Sequence, residues 1–178
     1  MPIVRTLCLV PLRAMISSDP TAIDIKWDPQ VQRMSGIAFH GNTPFDVPYI
    51  SHIEGNLWTG GCADHLILPK HIEHVISLYP WEQYQIRHQP KSVLSVWLYD
   101  SNDLPPIVHE VASWGAGCAE DGPTLIHCQA GLNRSSTIAA LVLMEQGKSA
   151  QEAIDLLREK RSPAVLCNKF FEEWLLEL

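Results

Sequence analysis

The sequence lacks the features of several protein classes. No apolar run among its 178 residues approaches the roughly 20 that a membrane helix needs. The apolar start, residues 3–16, is interrupted by Pro11 and Arg13, which disfavours a signal peptide. Basic residues are in the minority, since 13 Lys and Arg against 20 Asp and Glu give a net charge of −7. We therefore expect a cytoplasmic protein without broad nucleic-acid or membrane binding.

The cysteines do not suggest a disulfide or zinc framework. Five are present, an odd number at irregular spacings, and none belongs to a Cys-x-x-Cys pair. Each thiol must therefore be interpreted from its own surroundings. The five are Cys8, Cys62, Cys118, Cys128 and Cys167.

The chain divides by composition into two regions. Residues 1–50 contain one apolar run, Ile3 to Leu12, followed by a stretch punctuated by Pro and Gly. This region has too little apolar content for a core of its own, so we predict an N-terminal extension that packs on the rest. Residues 51–178 are expected to form a single folded domain.

The second region alternates short apolar runs with helical patterns. The runs are continuous, which is typical of strands buried on both faces of a sheet. A Ser149-x-x-Glu152 capping box marks the start of one helix. The pattern predicts an α/β fold with a central, mostly parallel, twisted sheet flanked by helices. The predicted strands lie at 56–59, 74–78, 93–98 and 124–127, and the helical patterns at 107–114, 138–145, 150–157 and 170–175.

One segment, residues 125–136, carries the pattern of a reactive anion site. It runs from a buried strand through a glycine-containing loop into a helix, which directs successive N–H groups and the positive helix end toward one point. These dipoles favour the thiolate of Cys128 and so make it a nucleophile. Arg134, at the helix start, presents a planar fork that suits two phosphate oxygens.

The loop resembles that of a known family. Its residues match the signature of the cysteine-based protein tyrosine phosphatases, which is His-Cys, five residues, Arg and then Ser or Thr. Residues 56–61 and the helical run 149–161 are similar to segments of the small dual-specificity branch. The resemblance covers about residues 55–178 and implies the fold of that branch, with 51–178 as its catalytic domain. The matching positions are His127, Cys128, Gly131, Arg134 and Ser135.

The resemblance implies two-step phosphoryl transfer that needs no metal or other cofactor. Cys128 attacks phosphorus to form a cysteinyl-phosphate, and Ser135 assists the departure of the sulfur in the second step. His127 supports the loop by bonding its backbone. The implied phosphate-binding residues are Gln129, Ala130, Gly131, Leu132, Asn133 and Arg134.

The family also requires a general acid, which must come from another loop. The strand at 93–98 ends in Tyr99-Asp100-Ser101-Asn102-Asp103. The carboxyl ends of parallel strands meet at one edge, where α/β sheets bind their ligands. Asp100 comes first after the strand and is favoured as the acid, while Asp103 is better explained as a helix N-cap.

Other conspicuous residues have plainer interpretations. His71 and His74 lie three apart, but surface or packing roles are favoured over a metal site. Arg158 and Arg161 are interpreted as a solvated helix face, and the six tryptophans as packing residues. Cys62 is interpreted as a plain thiol, with a reversible disulfide to Cys128, as in some relatives, as the alternative.

The expected function is that of a dual-specificity phosphatase acting on phosphotyrosine, and also on phosphoserine and phosphothreonine. Its expected partners are phosphorylated proteins or peptides, with phosphate or another oxyanion in the loop. Phosphoinositides and RNA 5′-triphosphates are alternative substrates, disfavoured by the five uncharged loop positions and by the net charge, respectively. A non-catalytic phosphate-binding module is a third possibility, against which the intact Cys128, Arg134 and Ser135 argue.

Overall fold

The computed structural model describes residues 3–7, 23–28, 33–40, 43–62, 66–81 and 83–178. Within them lie nine strands and four helices. The strands are β1 (Ile3–Leu7), β2 (Ile23–Asp28), β3 (Arg33–His40), β4 (Thr43–Pro48), β5 (Ile50–Glu54), β6 (Leu57–Gly60), β7 (His74–Ser77), β8 (Ser92–Val96) and β9 (Thr124–His127). The helices are α1 (Ile107–Asp121), α2 (Arg134–Glu145), α3 (Ala150–Lys160) and α4 (Lys169–Leu176).

The main sheet has six strands in the order β1-β8-β7-β9-β6-β5. All neighbouring pairs are parallel except β5 and β6, so the predicted mostly parallel α/β sheet is confirmed. The central strand β9 lies between β6 and β7, and all four of its residues are buried. The loop that follows β9 therefore emerges from the middle of the sheet at its carboxyl edge.

The N-terminal region contributes strands that the sequence pattern did not predict. β1 adds to the edge of the main sheet through parallel pairing with β8. β2, β3 and β4 form a separate three-stranded antiparallel sheet. The rest of the first apolar run, with Cys8, lies outside the described residues, and the division at residue 50 stays a prediction.

The central strands β7 and β9 are buried on both faces, as their continuous apolar pattern predicts. On one face, Ile76 and Ile126 join the core formed with all four helices. On the other face, Val75 and Leu125 pack into a second cluster with side chains from the segment 66–72. No helix among the described residues is long and apolar enough to cross a membrane.

Local signals explain where the helices begin. The predicted capping box of α3 is present, with Ser149 and Glu152 bonding each other's backbone N–H groups. α4 is capped by Asn168, whose side chain accepts from the N–H of Phe170. α1 begins after Pro106 without a side-chain cap, so the interpretation of Asp103 as an N-cap is wrong. Asp103 is exposed instead, and its carbonyl accepts from the Ser101 hydroxyl.

Candidate active site

The reactive loop, residues 128–133, is attached to the backbone that follows β6. The N–H of Cys128 donates to the carbonyl of Gly60 over 3.2 Å, and the N–H of Cys62 donates to the carbonyl of Gln129 over 2.8 Å. These bonds continue the β6–β9 pairing beyond the ends of both strands. The loop thus has a defined backbone path before any side chain is considered.

Gly131 is required by the shape of this loop. Its φ of +70° lies in the left-handed region, which residues with a side chain rarely adopt. A Cβ at this position would also collide with the backbone of Gly60 and the guanidinium of Arg161. The glycine in the motif is therefore explained by backbone conformation and close packing together.

The sulfur of Cys128 lies among groups that can donate to it. The N–H of Gly131 donates to Sγ over 3.2 Å, and the hydroxyl of Ser135 lies 3.4 Å from Sγ. Cys128 is only 1% exposed. Hydrogen bonds from N–H and O–H groups are strongest when the acceptor is charged, so this surrounding suits negative charge on sulfur. The structure thus brings together the predicted nucleophile and the predicted leaving-group aid.

Arg134 is held where β7 and β8 end. As the first residue of α2 it is buried, and its Nη1 donates to the carbonyl of Leu98 over 3.3 Å. Its guanidinium lies over the ring of Tyr79, 5.1 Å from the centroid. The contact with the Tyr79 ring and the bond to Leu98 restrain the position of the guanidinium. No pattern in the sequence indicated the contribution of Tyr79.

Asp100 is bound directly to the reactive loop. One carboxylate oxygen accepts from Nδ2 of Asn133 over 2.9 Å, and the other accepts from Nδ2 of Asn168 over 2.9 Å. Asp103, the alternative acid, is exposed. Of the two candidates, Asp100 is the one held against the reactive loop through Asn133.

Arg161 supports the loop from below, so its interpretation as a solvated residue is wrong. It is buried, and its guanidinium donates to the carbonyls of Gly131 and of Ala130, the latter over 2.8 Å, and to the Ser51 hydroxyl over 3.2 Å. Burial lowers its pKa to about 10, which leaves it charged at neutral pH. Arg158 instead forms a half-exposed ion pair with Glu172, 2.8 Å long. Arg161 thus holds the carbonyls of Ala130 and Gly131, while the N–H of Gly131 donates to the Cys128 sulfur.

His127 lies beneath the loop as a neutral ring. Its Nδ1 is 3.4 Å from the carbonyl of Cys128, and the ring of Tyr84 packs edge-on against it at 5.1 Å. Among the described residues, Nε2 has no hydrogen-bond partner although it is buried. Burial lowers the pKa of His127 to about 4. The predicted contact with the loop backbone is present.

Acid should destabilise the fold through His127. Between pH 6.5 and pH 4 the unfolded chain binds a proton on this ring that the folded chain does not bind, so stability falls as the pH falls. We expect this residue to account for a loss of about 3 kcal/mol in unfolding free energy across that range.

Urea unfolding at several pH values measures this contribution. The difference in unfolding free energy between wild type and His127→Gln should shrink by about 3 kcal/mol from pH 7 to pH 4. The exposed His71→Gln serves as the control. A difference that does not change with pH would show that the buried ring is not the acid-sensitive group.

The other predicted candidates lie away from the loop or have other contacts. His71 packs against Trp58, with 4.8 Å between ring centroids. His74 lies between the Ser92 hydroxyl and Asp121, at 2.7 and 3.0 Å, so its packing role is supported. The side chains of Glu73, His74 and Asp121 lie close enough together to suggest a metal site. The ammonium of Lys91, however, already bridges the two carboxylates.

The buried cysteines near the site form no disulfide in this structure. Cys62 is fully buried, and neither it nor Cys128 is disulfide-bonded. A reversible disulfide between them therefore stays a prediction. Cys167 lies close by, with its sulfur 3.4 Å from Oδ1 of Asn133, and burial raises its pKa to about 11. At neutral pH Cys167 is therefore a protonated thiol and not a second nucleophile.

With this geometry in view, similarity to known proteins identifies the family. Residues 67–178 match the model of the dual specificity phosphatase catalytic domain. The protein tyrosine phosphatase type IVA 3 of Bos taurus is 34% identical over 74 residues, which cover 39% of this chain and 43% of the bovine protein. The chain thus spans less than half the length of this curated relative.

Solved structures share the fold. Human DUSP28 superposes with a TM-score of 0.60 at 15% identity, covering 73% of this chain and 92% of that chain. PTPMT1 in complex with PI(5)P superposes with a TM-score of 0.54 at 17% identity, covering 72% and 96%. These neighbours confirm the predicted phosphatase-type fold. Because the family model matches well over half of the sequence, the chain belongs to the family of dual specificity phosphatase catalytic domains.

Proposed function

We propose that this protein hydrolyses phosphomonoesters through a cysteinyl-phosphate on Cys128. The observation that supports this most is the joint placement of the Cys128 sulfur beside the Gly131 N–H and the Ser135 hydroxyl, with Asp100 bonded to Asn133 of the same loop. In this proposal the N–H groups of residues 129–133 and the fork of Arg134 hold the phosphate oxygens. The loop is thus a phosphate-binding loop.

The first step transfers the phosphoryl group to sulfur. The thiolate of Cys128 attacks phosphorus, and a sulfur–phosphorus bond forms as the bond between phosphorus and the leaving oxygen breaks. Asp100 gives its proton to that oxygen and becomes a carboxylate. Arg134 and the loop N–H groups stabilise the charge on the three phosphoryl oxygens in the transition state.

The second step releases phosphate. The Asp100 carboxylate accepts a proton from water as the water oxygen bonds to phosphorus. The sulfur–phosphorus bond breaks and its electron pair returns to Cys128 as a thiolate. The Ser135 hydroxyl, 3.4 Å from the sulfur, stabilises that negative charge. Asp100 ends protonated and ready for the next substrate.

The charges around the loop favour a single phosphate group as the ligand. The positions from 129 to 133 are uncharged, and the guanidinium of Arg161 donates to loop carbonyls. Arg134, directly after the loop, is therefore the positively charged residue that we expect to bind the phosphate. This supports phosphorylated proteins or peptides over an inositol lipid such as the PI(5)P bound by PTPMT1. It also disfavours a triphosphate, which would bring several further negative charges.

Aromatic residues at the rim supply a surface for the leaving group. Trp81 was interpreted as a packing residue, and it does pack against other rings, but 59% of it is exposed. Its ring lies 5.3 Å from Tyr79 and 5.9 Å from Trp97, and Tyr79 in turn carries the guanidinium of Arg134. We propose that this row of rings contacts the aromatic ring of phosphotyrosine. Phosphoserine and phosphothreonine, which lack that ring, would be weaker substrates.

Trp81→Ala should weaken binding without slowing chemistry. We expect KM for a phosphotyrosine peptide to rise by about 3- to 10-fold, the value of one aromatic pair, with kcat within about twofold of wild type. KM for the matching phosphoserine peptide should not change. Ile86→Ala, which also removes an exposed apolar side chain, is the control. Equal changes for both peptides would rule out the proposed ring contact.

We place the protein in the cytoplasm, because a nucleophilic thiol needs a reducing compartment. None of Cys62, Cys118, Cys128 and Cys167 forms a disulfide. Extracellular conditions would expose the Cys128 thiolate to oxidation.

The proposed activity is tested by hydrolysis of p-nitrophenyl phosphate between pH 5 and pH 8 in the presence of EDTA and a reductant. We expect turnover that EDTA does not reduce and that stops when a thiol-alkylating reagent is added. Activity that EDTA abolishes would contradict cysteine-based chemistry. No turnover of this substrate or of phosphopeptides at any pH would instead favour a phosphate-binding module.

A further inference from the structure

Two amide side chains from distant parts of the chain hold the carboxylate of Asp100. Asn133 precedes α2, and Asn168 precedes α4. Each donates one N–H to a different carboxylate oxygen, and both bonds are 2.9 Å long. The two amides are also linked to each other, because the backbone N–H of Asn168 donates to Oδ1 of Asn133 over 3.0 Å. Together they form a closed arrangement, which we call the amide clamp.

The orientation of both amides is fixed by their other contacts. Oδ1 of Asn133 accepts from the Asn168 N–H and from the thiol of Cys167, so its Nδ2 must face Asp100. Oδ1 of Asn168 accepts from the N–H of Phe170 as the cap of α4, so its Nδ2 must also face Asp100. A flipped amide would place an oxygen against a carboxylate oxygen at either position. Both residues are therefore donors to the acid.

The neighbours of Asp100 in the chain are exposed. Tyr99, Ser101, Asn102 and Asp103 are all exposed, whereas Asp100 is partly buried against the amides. A general acid is effective when its proton is held near the leaving oxygen, since a misplacement of about 1 Å is costly. Each side-chain amide donates one hydrogen bond to one lone pair of a carboxylate oxygen. A second lone pair remains on each oxygen, so these hydrogen bonds are compatible with a proton on Asp100.

We propose that Asn168 is a positioning residue that holds the general acid over the phosphate-binding loop. It bonds Asp100 and does not contact the reacting atoms. This inference rests on the proposed function, in which Asp100 protonates the leaving oxygen. Because Asn168 also caps α4, the position of the acid is tied to the C-terminal helix.

Asn168→Asp separates the two roles of this side chain. Aspartate caps a helix as well as asparagine does, so α4 should remain intact. It cannot donate an N–H to Asp100, and it adds a negative charge beside it. Asn102→Asp makes the same chemical change at an exposed position of the acid's own segment, outside the clamp, and is the matched control.

The readout is the dependence of kcat on the leaving group. For a poor leaving group such as phenyl phosphate, we expect Asn168→Asp to lower kcat by about 10- to 100-fold, part of the contribution of a general acid. For a good leaving group such as 2,4-dinitrophenyl phosphate, the loss should stay below about threefold. Asn168→Asp should still unfold cooperatively above the assay temperature, although the repulsion between the two carboxylates lowers its midpoint. Asn102→Asp should behave as wild type on both substrates.

Parallel assays of Asp100→Asn distinguish the possible failures. If Asp100→Asn loses activity selectively on phenyl phosphate but Asn168→Asp does not, the positioning role is overturned and the proposed function stands. If Asp100→Asn shows no such selectivity, the acid assignment within the proposed function fails, and the role of Asn168 fails with it. If Asn168→Asp lowers kcat equally for both substrates, the positioning role is also overturned, because Asn168 would then support the reactive loop and not the acid. If Asn168→Asp does not fold, Asn168→Ser, which keeps a capping oxygen, replaces it.

Discussion

Replacing Cys128 by serine is expected to reduce kcat for aryl phosphates by about 10⁵-fold or more, the loss seen when other covalent catalysts lose their nucleophile. Serine is similar in size and can keep the bond from the Gly131 N–H. Its hydroxyl, however, is not ionised at neutral pH, and the two groups that contact this position, the Gly131 N–H and the Ser135 hydroxyl, are not bases that could activate it. The loss should therefore come from chemistry and not from the fold.

Two measurements separate chemistry from folding in this variant. Inorganic phosphate should still raise the thermal unfolding midpoint of Cys128→Ser, because the loop N–H groups and Arg134 remain. Cys118→Ser is the control, since Cys118 is a buried thiol of α1 whose sulfur lies 3.9 Å from the Ser92 hydroxyl. It should retain nearly all activity. Wild-type turnover by Cys128→Ser would remove Cys128 from the mechanism.

The second large effect is expected for Arg134→Lys, which should lower kcat by about 10³-fold. The charge is kept, but an ammonium cannot make two parallel hydrogen bonds to a phosphoryl group, and the contact between the guanidinium and the Tyr79 ring is lost. Because these bonds strengthen as charge builds on the oxygens, kcat should fall more than KM rises.

The same substitution elsewhere provides the comparison. Arg158 pairs with Glu172 on the surface between α3 and α4, so Arg158→Lys should leave kcat within about twofold of wild type. If Arg134→Lys also stayed within that range, the bidentate role of Arg134 would be wrong. A rise in KM alone would reduce Arg134 to a ground-state binding residue.

The main sheet and the helices were predictable because their signals are local. The residues of β7 and β9 are all buried, and the adjacent apolar residues at their centres, Val75-Ile76 and Leu125-Ile126, mark both strands in the sequence. Ser149 and Glu152 mark the start of α3 within four residues of sequence. The reactive loop was predictable for the same reason, since the loop requires its cysteine, glycine and arginine at fixed spacing.

The parts that were missed depend on contacts between distant segments. Arg161 ends a helix with an ordinary surface pattern, yet it is buried under a loop 30 residues away. Asn168 bonds a carboxylate 68 residues earlier. Asp103 was expected to be the N-cap because aspartate is a common capping residue. In the structure α1 begins three residues later, after Pro106, which has no capping side chain. No periodicity in the sequence reports such pairings.

The central claim, a phosphate carried on Cys128, is tested most directly by trapping it. Asp100→Asn and 2,4-dinitrophenyl phosphate suit this experiment, because the first step then needs no acid while the second step lacks its base. After rapid denaturing quench, peptide mass mapping should find one phosphate on the peptide that contains Cys128, and none in the Cys128→Ser variant. Phosphate on a different residue, or turnover with no adduct on Cys128 at any quench time, would contradict the mechanism.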